Sequence, residues 1–316
     1  MMQEELMADL RAMWRIRAFE EKVEALCGSG DIRGSVHLCN GQEAGPVGAC
    51  EALDGTDALF ATYRGHGWAI ARGTPLRPLL AELLGRATGV NGGRGGSAYF
   101  SAPEYGFYGE NSIVGAGAPI AVGAALAGRY DGTHRIAVTV FGDGAMNQGA
   151  VHEAMNFAAA AQLPVLFLCE NNRWSELTPI RDTVHNEALT DRPKALGMPA
   201  VRIDGNDPHL IRETVSDLAE ASREGGGPAF VELTTQRLVG HYVGDPQQYR
   251  AREELAADRE REPIAVAIRR LTEAGVGAGE IEDAESSARE EVEQAARAAL
   301  ADPRADTGSV REHIYA

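Results

Sequence analysis

The stretch IAVTVFGDGAMNQG, residues 136–149, decides the fold of this chain. Residues 136–141 form an almost continuous apolar run, as in a strand buried on both faces of a sheet. The turn at residues 142–144 follows, and residues 150–161 have a helical pattern. A strand that leads through a glycine-rich turn into a helix places free backbone N–H groups at the carboxyl edge of a sheet, where anions bind. The stretch therefore predicts a phosphate-binding unit.

An acidic residue, Asp143, lies in the middle of this turn. A carboxylate would repel a bare phosphate, so it is better explained as the ligand of a cation that bridges phosphates, and magnesium suits an oxygen donor. A second apolar run, residues 165–169, leads to Asn171 and Asn172. Because parallel strands joined by one helix can end side by side, the Asn172 oxygen can face Asp143. Either motif alone is common as an ordinary turn or helix cap, but together they predict a magnesium site.

The rest of the chain continues the same alternation. Short apolar runs at 58–61, 136–141, 165–169, 201–203 and 230–234 are separated by helical patterns. This order predicts an α/β fold with a parallel sheet and helices on both faces. Residues 3–28 are expected to form an N-terminal helix, and residues 263–300 two helices broken at 275–279. We therefore divide the chain into a cofactor-binding domain, 1–250, and a C-terminal helical extension, 251–316.

The segment 113–128 consists mainly of small and apolar residues. It predicts a packed internal helix whose backbone another helix can approach closely. Two explanations of this close approach remain open. One is packing against another subunit, and the other is tight packing within the chain.

The composition excludes several classes of function. The 316 residues include 30 basic and 46 acidic side chains, with a net charge of −16, so nucleic acid and anionic membranes are not expected partners. Four cysteines without a C-x-x-C pair suit buried thiols in a reducing cytoplasm. The acidic N-terminus does not resemble a signal peptide, and the longest apolar run is too short and too glycine-rich to cross a bilayer. We therefore expect a cytoplasmic protein.

A Gly-Asp-Gly turn followed about 30 residues later by Asn-Asn is the signature of thiamine diphosphate enzymes. The chain resembles the α subunits of the decarboxylase component of pyruvate, acetoin and branched-chain 2-oxo acid dehydrogenase complexes, which have the thiamine diphosphate-binding fold. The resemblance extends over nearly the whole chain. It rests on the order and spacing of segments 16–21, 37–44, 62–67, 92–97, 113–116, 142–149, 201–207 and 240–246.

The resemblance implies a role for particular residues. Asp143 and Asn172 would bind magnesium through side-chain oxygens and Trp174, where the family usually has Tyr, through its carbonyl. His241 would be catalytic, donating a hydrogen bond to charge that develops near the reacting thiazolium. The implied cofactor-binding residues are Tyr63, Arg64, Ser112, Val114, Gly142, Asp143, Gly144, Ala145, Asn172, Trp174 and His241. His66 also matches a family position, and loop structure and catalysis remain equal alternatives for it.

Two further segments, 95–99 and 109–115, depart from the pattern common in relatives. Tyr99 stands where relatives commonly have His, and Glu110 and Ser112 stand where they have Gly. Ser112 matches a position beside the aminopyrimidine, so these departures concern the choice of substrate or acyl acceptor and leave cofactor binding unaffected.

The resemblance implies decarboxylation of a 2-oxo acid and transfer of the acyl unit to lipoamide. The family's acid/base glutamate comes from a β subunit, which implies a heterotetramer of two α and two β chains with a lipoyl acyltransferase. An alternative is an acetoin dehydrogenase α subunit, because residues 175–182 and 241–246 resemble acetoin-type chains. A related thiamine-dependent acyl or ketol transferase that delivers a two-carbon unit to an acyl carrier protein is a further alternative.

A different class is a non-catalytic scaffolding subunit whose cofactor site has decayed. Decay should appear first at the metal ligands, and Asp143, Asn172, Arg64 and His241 are all present. The sequence therefore favours an active enzyme subunit.

Overall fold

The computed structural model of the chain describes residues 2–312, except for the side chains of Met2 and Val310. Its strands are β1 (Ala58–Phe60), β2 (Phe107–Gly109), β3 (Ala137–Gly142), β4 (Val165–Asn171), β5 (Trp174–Ser175), β6 (Thr178–Pro179), β7 (Ala200–Asp204) and β8 (Ala229–Thr234). Six of them form one parallel sheet in the order β2-β1-β3-β4-β8-β7, and β5 pairs with β6 as a small antiparallel hairpin. The predicted parallel sheet is confirmed.

The helices begin with α1 (Met2–Gly28), α2 (Ala44–Glu51), α3 (His66–Ala71), α4 (Leu76–Leu83), α5 (Gly117–Asp131) and α6 (Gly149–Ala161). They continue with α7 (Ile180–Thr183), α8 (Asp191–Ala195), α9 (Pro208–Ala221), α10 (Arg252–Arg261), α11 (Pro263–Glu273) and α12 (Ala278–Ala301). Short 3₁₀ turns cover Pro103–Tyr105, Asp143–Asn147 and Thr307–Arg311, and a π turn covers Ser222–Gly226. Among these helices of the described chain, none is both long and apolar enough to span a bilayer.

The central strands β1, β3, β4 and β8 are buried on both faces, which explains their apolar runs, whereas the edge strand β7 is partly exposed. Val138 and Leu166 point to one side, into a core shared with α1, α2, α9 and α12. Phe141 and Phe167 point to the other side, into a second core with α5 and α6. Alternate side chains of one strand therefore enter different cores. The polar residues inside β3 and β8, Thr139 and Glu232, are fully buried.

The small-residue segment was predicted as a packed internal helix, but in the structure it packs on one face only. Its helix, α5, begins at Gly117, and residues 113–116 belong to the preceding turn. Ala121 is fully buried, but Ile120 is 47% exposed and Ile113 is 69% exposed. One face of α5 therefore packs against the sheet and the other lies open.

Two further details differ from or refine the sequence analysis. The edge strand β2 was not predicted, because only Phe107 of its three residues is buried and the strand shows no apolar run. The cysteines are free thiols, and Cys39, Cys50 and Cys169 are buried while Cys27 is half-buried.

Candidate active site

A cavity of about 600 Å³ opens at the carboxyl ends of β1, β3 and β4. Ligands of open α/β sheets bind at this edge. All of the cofactor-binding residues expected from the sequence line the cavity: Tyr63, Arg64, Ser112, Val114, Gly142, Asp143, Gly144, Ala145, Asn172, Trp174 and His241. The fold therefore brings together residues from five separate parts of the chain.

The Asp143 side chain lies at the floor of this cavity. β3 and β4 are neighbours, with Gly142 opposite Glu170 in the register, so Asp143 and Asn172 follow adjacent strand ends as expected. Asp143 is 1% exposed, and its Oδ2 has no hydrogen-bond partner in the part of the chain that the structure describes. Burial raises the pKa of Asp143 to about 7, and a cation bound to the unpaired oxygen would stabilise the ionised form.

Asn172 is held in a fixed orientation beside Asp143. Its Nδ2 donates to Gln42 Oε1 at 2.9 Å, and its Oδ1 accepts from the Trp174 N–H at 3.1 Å, with a lone pair left for a metal. The Trp174 indole instead donates to Glu254 of α10 at 3.0 Å. Within residues 2–312, no three His, Cys, Asp or Glu side chains cluster as a metal site. One carboxylate, one amide and one carbonyl suit magnesium, which takes its other ligands from water and phosphate.

The turn after β3 packs closely against β5. A Cβ atom at Gly144 would lie 2.3 Å from Ser175 Oγ and 2.8 Å from Ser175 Cβ, so this packing favours glycine. On the other side of the cavity, the Arg64 guanidinium donates to the carbonyl of Leu38 and to the carbonyl of His241, the latter at 3.0 Å. These two bonds hold a buried arginine, 6% exposed, against the cavity wall. The arrangement fits a diphosphate between the turn and Arg64.

Three rings form a cluster beside Arg64. The ring centroids of His37 and His241 are 4.8 Å apart, and those of His37 and Tyr63 are 4.3 Å apart. Burial, and next the Arg64 charge, lower the pKa of His37 to about 3 and that of His241 to about 4. Both imidazoles are therefore neutral at pH 7, and the Nδ1 atom of each has no partner among the described residues. A neutral imidazole can donate a hydrogen bond through one nitrogen and accept through the other.

His66 does not line the cavity but lies behind its wall. Its Nδ1 is 2.8 Å from Glu20 Oε2, and its Nε2 is 3.1 Å from Ser97 Oγ, a residue that does line the cavity. Because the imidazole is fully buried, this placement favours loop structure over direct catalysis.

Residues 11–307 match the family described as the dehydrogenase E1 component. The chain belongs to this family. It is 38% identical over 283 residues to the α subunit of acetoin:2,6-dichlorophenolindophenol oxidoreductase of Bacillus subtilis (strain 168), covering 90% of this chain and 85% of the relative. It is 40% identical over 309 residues to the somatic mitochondrial α subunit of the human pyruvate dehydrogenase E1 component, covering 96% of this chain and 78% of the relative. It is also 40% identical over 278 residues to the α subunit of acetoin:2,6-dichlorophenolindophenol oxidoreductase of Cupriavidus necator, covering 88% of this chain and 84% of the relative.

Family membership confirms the resemblance seen in the sequence. The chain is the α subunit of a thiamine diphosphate-dependent 2-oxo acid dehydrogenase, and its cofactors are thiamine diphosphate and a divalent metal ion such as magnesium. Asp143, whose Oδ2 has no partner among residues 2–312, and the buried Arg64 line one cavity and fit these cofactors.

Two residues that depart from the family pattern, Tyr99 and Ser112, contact each other in this E1 chain. The Tyr99 hydroxyl is 2.6 Å from Ser112 Oγ, and both residues line the cavity. Glu110 is buried nearby, where its Oε2 accepts from the Phe100 N–H at 3.0 Å. Burial raises the pKa of Glu110 to about 7. One wall of the E1 cavity therefore presents a pair of hydroxyls.

For three further residues that line the E1 cavity, the sequence predicted no role. They are Gln42, which orients Asn172; Glu170, whose burial raises its pKa to about 7; and His37. Gln42 and His37 belong to the recognised segment 37–44, which was the available signal. Their contacts across the cavity were not predictable from that segment.

Proposed function

We propose that this chain decarboxylates a 2-oxo acid together with a β subunit and passes the acyl unit to lipoamide. The observation that carries the proposal is the Asp143 oxygen, which has no hydrogen-bond partner among the described residues and lies in one cavity with Asn172, Arg64 and His241. Thiamine diphosphate, when bound, supplies the nucleophilic carbon and the electron sink for decarboxylation. The chain's own residues bind and orient it.

Each residue has a proposed task. Asp143, Asn172 and the Trp174 carbonyl hold magnesium, and the backbone N–H groups of Gly144 and Ala145 bind the diphosphate. Tyr63 and Arg64 bind the diphosphate from the opposite wall, where Arg64 is already fixed by two carbonyls. Gly142 completes the turn, and Ser112 and Val114 contact the aminopyrimidine end. His241, a neutral imidazole at pH 7, donates a hydrogen bond to charge that develops during the reaction.

A partner chain would complete the cavity. Val114 lines the cavity and is 40% exposed. The apolar side chains of Ile113, Ile120 and Phe157 are 69%, 47% and 51% exposed. Apolar groups of this kind near an open cavity mark a protein interface. We propose that the β subunit covers this face and supplies the acid/base glutamate, in a tetramer of two α and two β chains that works with a lipoyl acyltransferase.

A second candidate function is acetoin dehydrogenase or a related transfer of a two-carbon unit to an acyl carrier protein. Two relatives are named as acetoin oxidoreductase α subunits. The Tyr99–Ser112 pair also places two hydroxyl groups on the cavity wall, which suits a hydroxyketone substrate.

The test uses the chain purified with its β subunit, thiamine diphosphate and magnesium. Reduction of 2,6-dichlorophenolindophenol is measured with 2-oxo acids and, separately, with acetoin. Reduction with a 2-oxo acid and release of carbon dioxide support the first function. Reduction with acetoin alone supports the second, and reduction with neither, in a complex that binds the cofactor, contradicts both.

We also propose a domain boundary and a cellular location for the chain. The cofactor-binding unit is residues 1–250, which contain all of the proposed site residues, and residues 251–316 are a helical extension whose α12 packs against α1 and α4. The four free thiols favour a reducing compartment, and we propose the cytoplasm.

A further inference from the structure

A second cavity, of about 440 Å³, lies at the carboxyl ends of β4, β8 and β7. It is separated from the cofactor cavity by the turn after β4. Asn171 and Arg173 of that turn line the second cavity, whereas Asn172 and Trp174 line the cofactor cavity. Arg173 has φ +68°, a left-handed backbone conformation that is uncommon for arginine. The same sheet edge therefore carries two cavities on opposite sides of one turn, and this edge is where parallel sheets bind ligands.

Four arginines surround the second cavity: Arg173, Arg202, Arg261 and Arg269. They come from different elements, namely the turn after β4, strand β7 and helices α10 and α11. In a chain with a net charge of −16, four guanidinium groups and one carboxylate, that of Asp204, line this cavity. The Asp204 Oδ1 accepts from the backbone N–H and the Nδ2 of Asn206, both at 3.0 Å, and the guanidinium groups outnumber this carboxylate.

The arginines are only partly neutralised by nearby carboxylates. Asp258 is shared, since Arg173 contacts its Oδ1 at 2.8 Å, Arg261 contacts the same atom at 2.9 Å, and Arg250 contacts Oδ2 at 2.6 Å. Arg202 lies 3.3 Å from Glu232. Arg269 donates to the carbonyl of Glu260 at 2.8 Å and makes no carboxylate contact within the described residues. These contacts fix the guanidinium groups and leave N–H donors for a further anion.

Two buried side-chain amides at the same cavity each have an acceptor oxygen without a hydrogen-bond donor among the described residues. Asn206 is 5% exposed and Gln236 is 8% exposed, and both line the cavity. Their side-chain oxygens, Oδ1 and Oε1, have no hydrogen-bond partner in the described structure. A buried acceptor without a partner costs free energy, which a hydroxyl or N–H group of a ligand would recover.

We propose that this second cavity, the arginine cavity, binds a phosphate ester that carries hydroxyl groups. Guanidinium groups that approach from several elements suit a tetrahedral dianion better than a planar carboxylate, which one guanidinium can satisfy. The two amide oxygens accept from the hydroxyls. This inference does not depend on the proposed catalytic function, because none of its residues is assigned to cofactor binding.

The test is calorimetric titration of the chain, assembled with its β subunit, with glycerol 3-phosphate and with inorganic phosphate. Thiamine diphosphate and magnesium are present in excess, so that the cofactor cavity is filled. We expect one site, with tighter binding of glycerol 3-phosphate than of inorganic phosphate. Arg202→Gln and Arg269→Gln change partly exposed side chains and should each weaken binding about tenfold, the effect of losing one hydrogen bond to a charged group.

Two controls locate the binding. Arg297→Gln removes an exposed arginine of α12 that pairs with Glu293 and should leave the affinity unchanged. The affinity should also stay the same when the concentration of thiamine diphosphate is raised. Competition between the probe and thiamine diphosphate would place the probe in the cofactor cavity and overturn the proposal. Unchanged affinity in both Arg202→Gln and Arg269→Gln would also overturn it, as would the absence of binding up to about 10 mM, where even a weak specific site fills.

The hydroxyl part of the proposal has its own test. Asn206→Ala should reduce the advantage of glycerol 3-phosphate over inorganic phosphate and leave the affinity for inorganic phosphate nearly unchanged. Equal affinities for the two probes in the unmodified chain would contradict the role of the amides.

Discussion

His66 Nδ1 lies 2.8 Å from Glu20 Oε2, and both side chains are fully buried. Glu20 belongs to α1 and His66 begins α3. Through its other nitrogen the same imidazole contacts Ser97, in the wall of the cofactor cavity. One ion pair therefore connects the N-terminal helix to the candidate active site.

The Glu20–His66 pair predicts a pH-dependent stability. Burial lowers the pKa of His66 but the Glu20 carboxylate raises it more, so the folded value lies above 6.5. Burial likewise raises the pKa of Glu20 but His66 lowers it more, to below 4.5. The histidine contribution is complete below pH 6.5 and is lost as pH rises through its folded pKa. The glutamate contribution is present above pH 4.5 and is lost as pH falls through its folded pKa.

We therefore expect His66→Gln to lower the free energy of unfolding by about 3 kcal/mol near pH 6, the cost of breaking a buried pair, and by less at higher pH. Urea unfolding between pH 5.5 and pH 9 measures this difference. His209→Gln, at an exposed histidine of α9, is the control. A difference that does not vary with pH would contradict an ion pair.

Removal of the proposed metal ligand should prevent cofactor binding. Asp143→Ala deletes the carboxylate at the cavity floor, so we expect no calorimetrically detectable binding of thiamine diphosphate with magnesium in the assembled complex. Asp217→Ala, at an exposed position of α9, should bind like the unmodified protein. An unchanged affinity in Asp143→Ala would refute the assignment of this ligand.

The chain alone should be inactive. We expect the purified polypeptide, with thiamine diphosphate, magnesium and a panel of 2-oxo acids, to release no carbon dioxide above background, because the proposed acid/base glutamate belongs to the β subunit. Addition of the β subunit should restore release. Turnover by the isolated chain would disprove the half-site proposal.

His241 should affect turnover more than cofactor affinity. If it stabilises charge that arises only during the reaction, His241→Ala should lower kcat by about two to three orders of magnitude, the range for losing one preorganised donor. The dissociation constant of the cofactor should change far less. Because the pKa of His241 is lowered to about 4, its ring stays neutral from pH 6 to pH 8, and its effect should be constant over that range.

These two quantities separate the alternatives for His241. A weaker cofactor affinity with normal turnover at saturation would mean that His241 mainly binds the diphosphate, since equal binding of ground and transition states does not accelerate a reaction. Unmodified values for both would leave it as a structural loop residue.

The Tyr99–Ser112 pair should influence substrate choice. Tyr99→Phe removes the hydroxyl that contacts Ser112 at 2.6 Å, and one neutral hydrogen bond contributes about 1 kcal/mol. We expect the ratio of kcat/KM for acetoin to that for pyruvate to change about fivefold, with thiamine diphosphate affinity unchanged. Tyr130→Phe, at a tyrosine of α5 that is 83% exposed, is the control. An unchanged ratio would contradict a role in substrate choice.

The sequence by itself determined the sheet and the family. Strands that are buried on both faces must be continuously apolar, so the runs at 136–141 and 165–169 were visible without any tertiary information. The positions of Asp143 and Asn172 followed from the same rule, because neighbouring parallel strands end at one edge.

Only the tertiary structure decided which distant residues meet. The edge strand β2, the contact of His37 with His241, the Glu20–His66 pair and the arginine cavity each join segments far apart in the chain. The exposed face of α5 likewise appeared only when the neighbouring helices were placed. Local patterns encode the period and burial of an element, whereas such contacts depend on the packing of whole elements around the sheet, which no short stretch of sequence specifies.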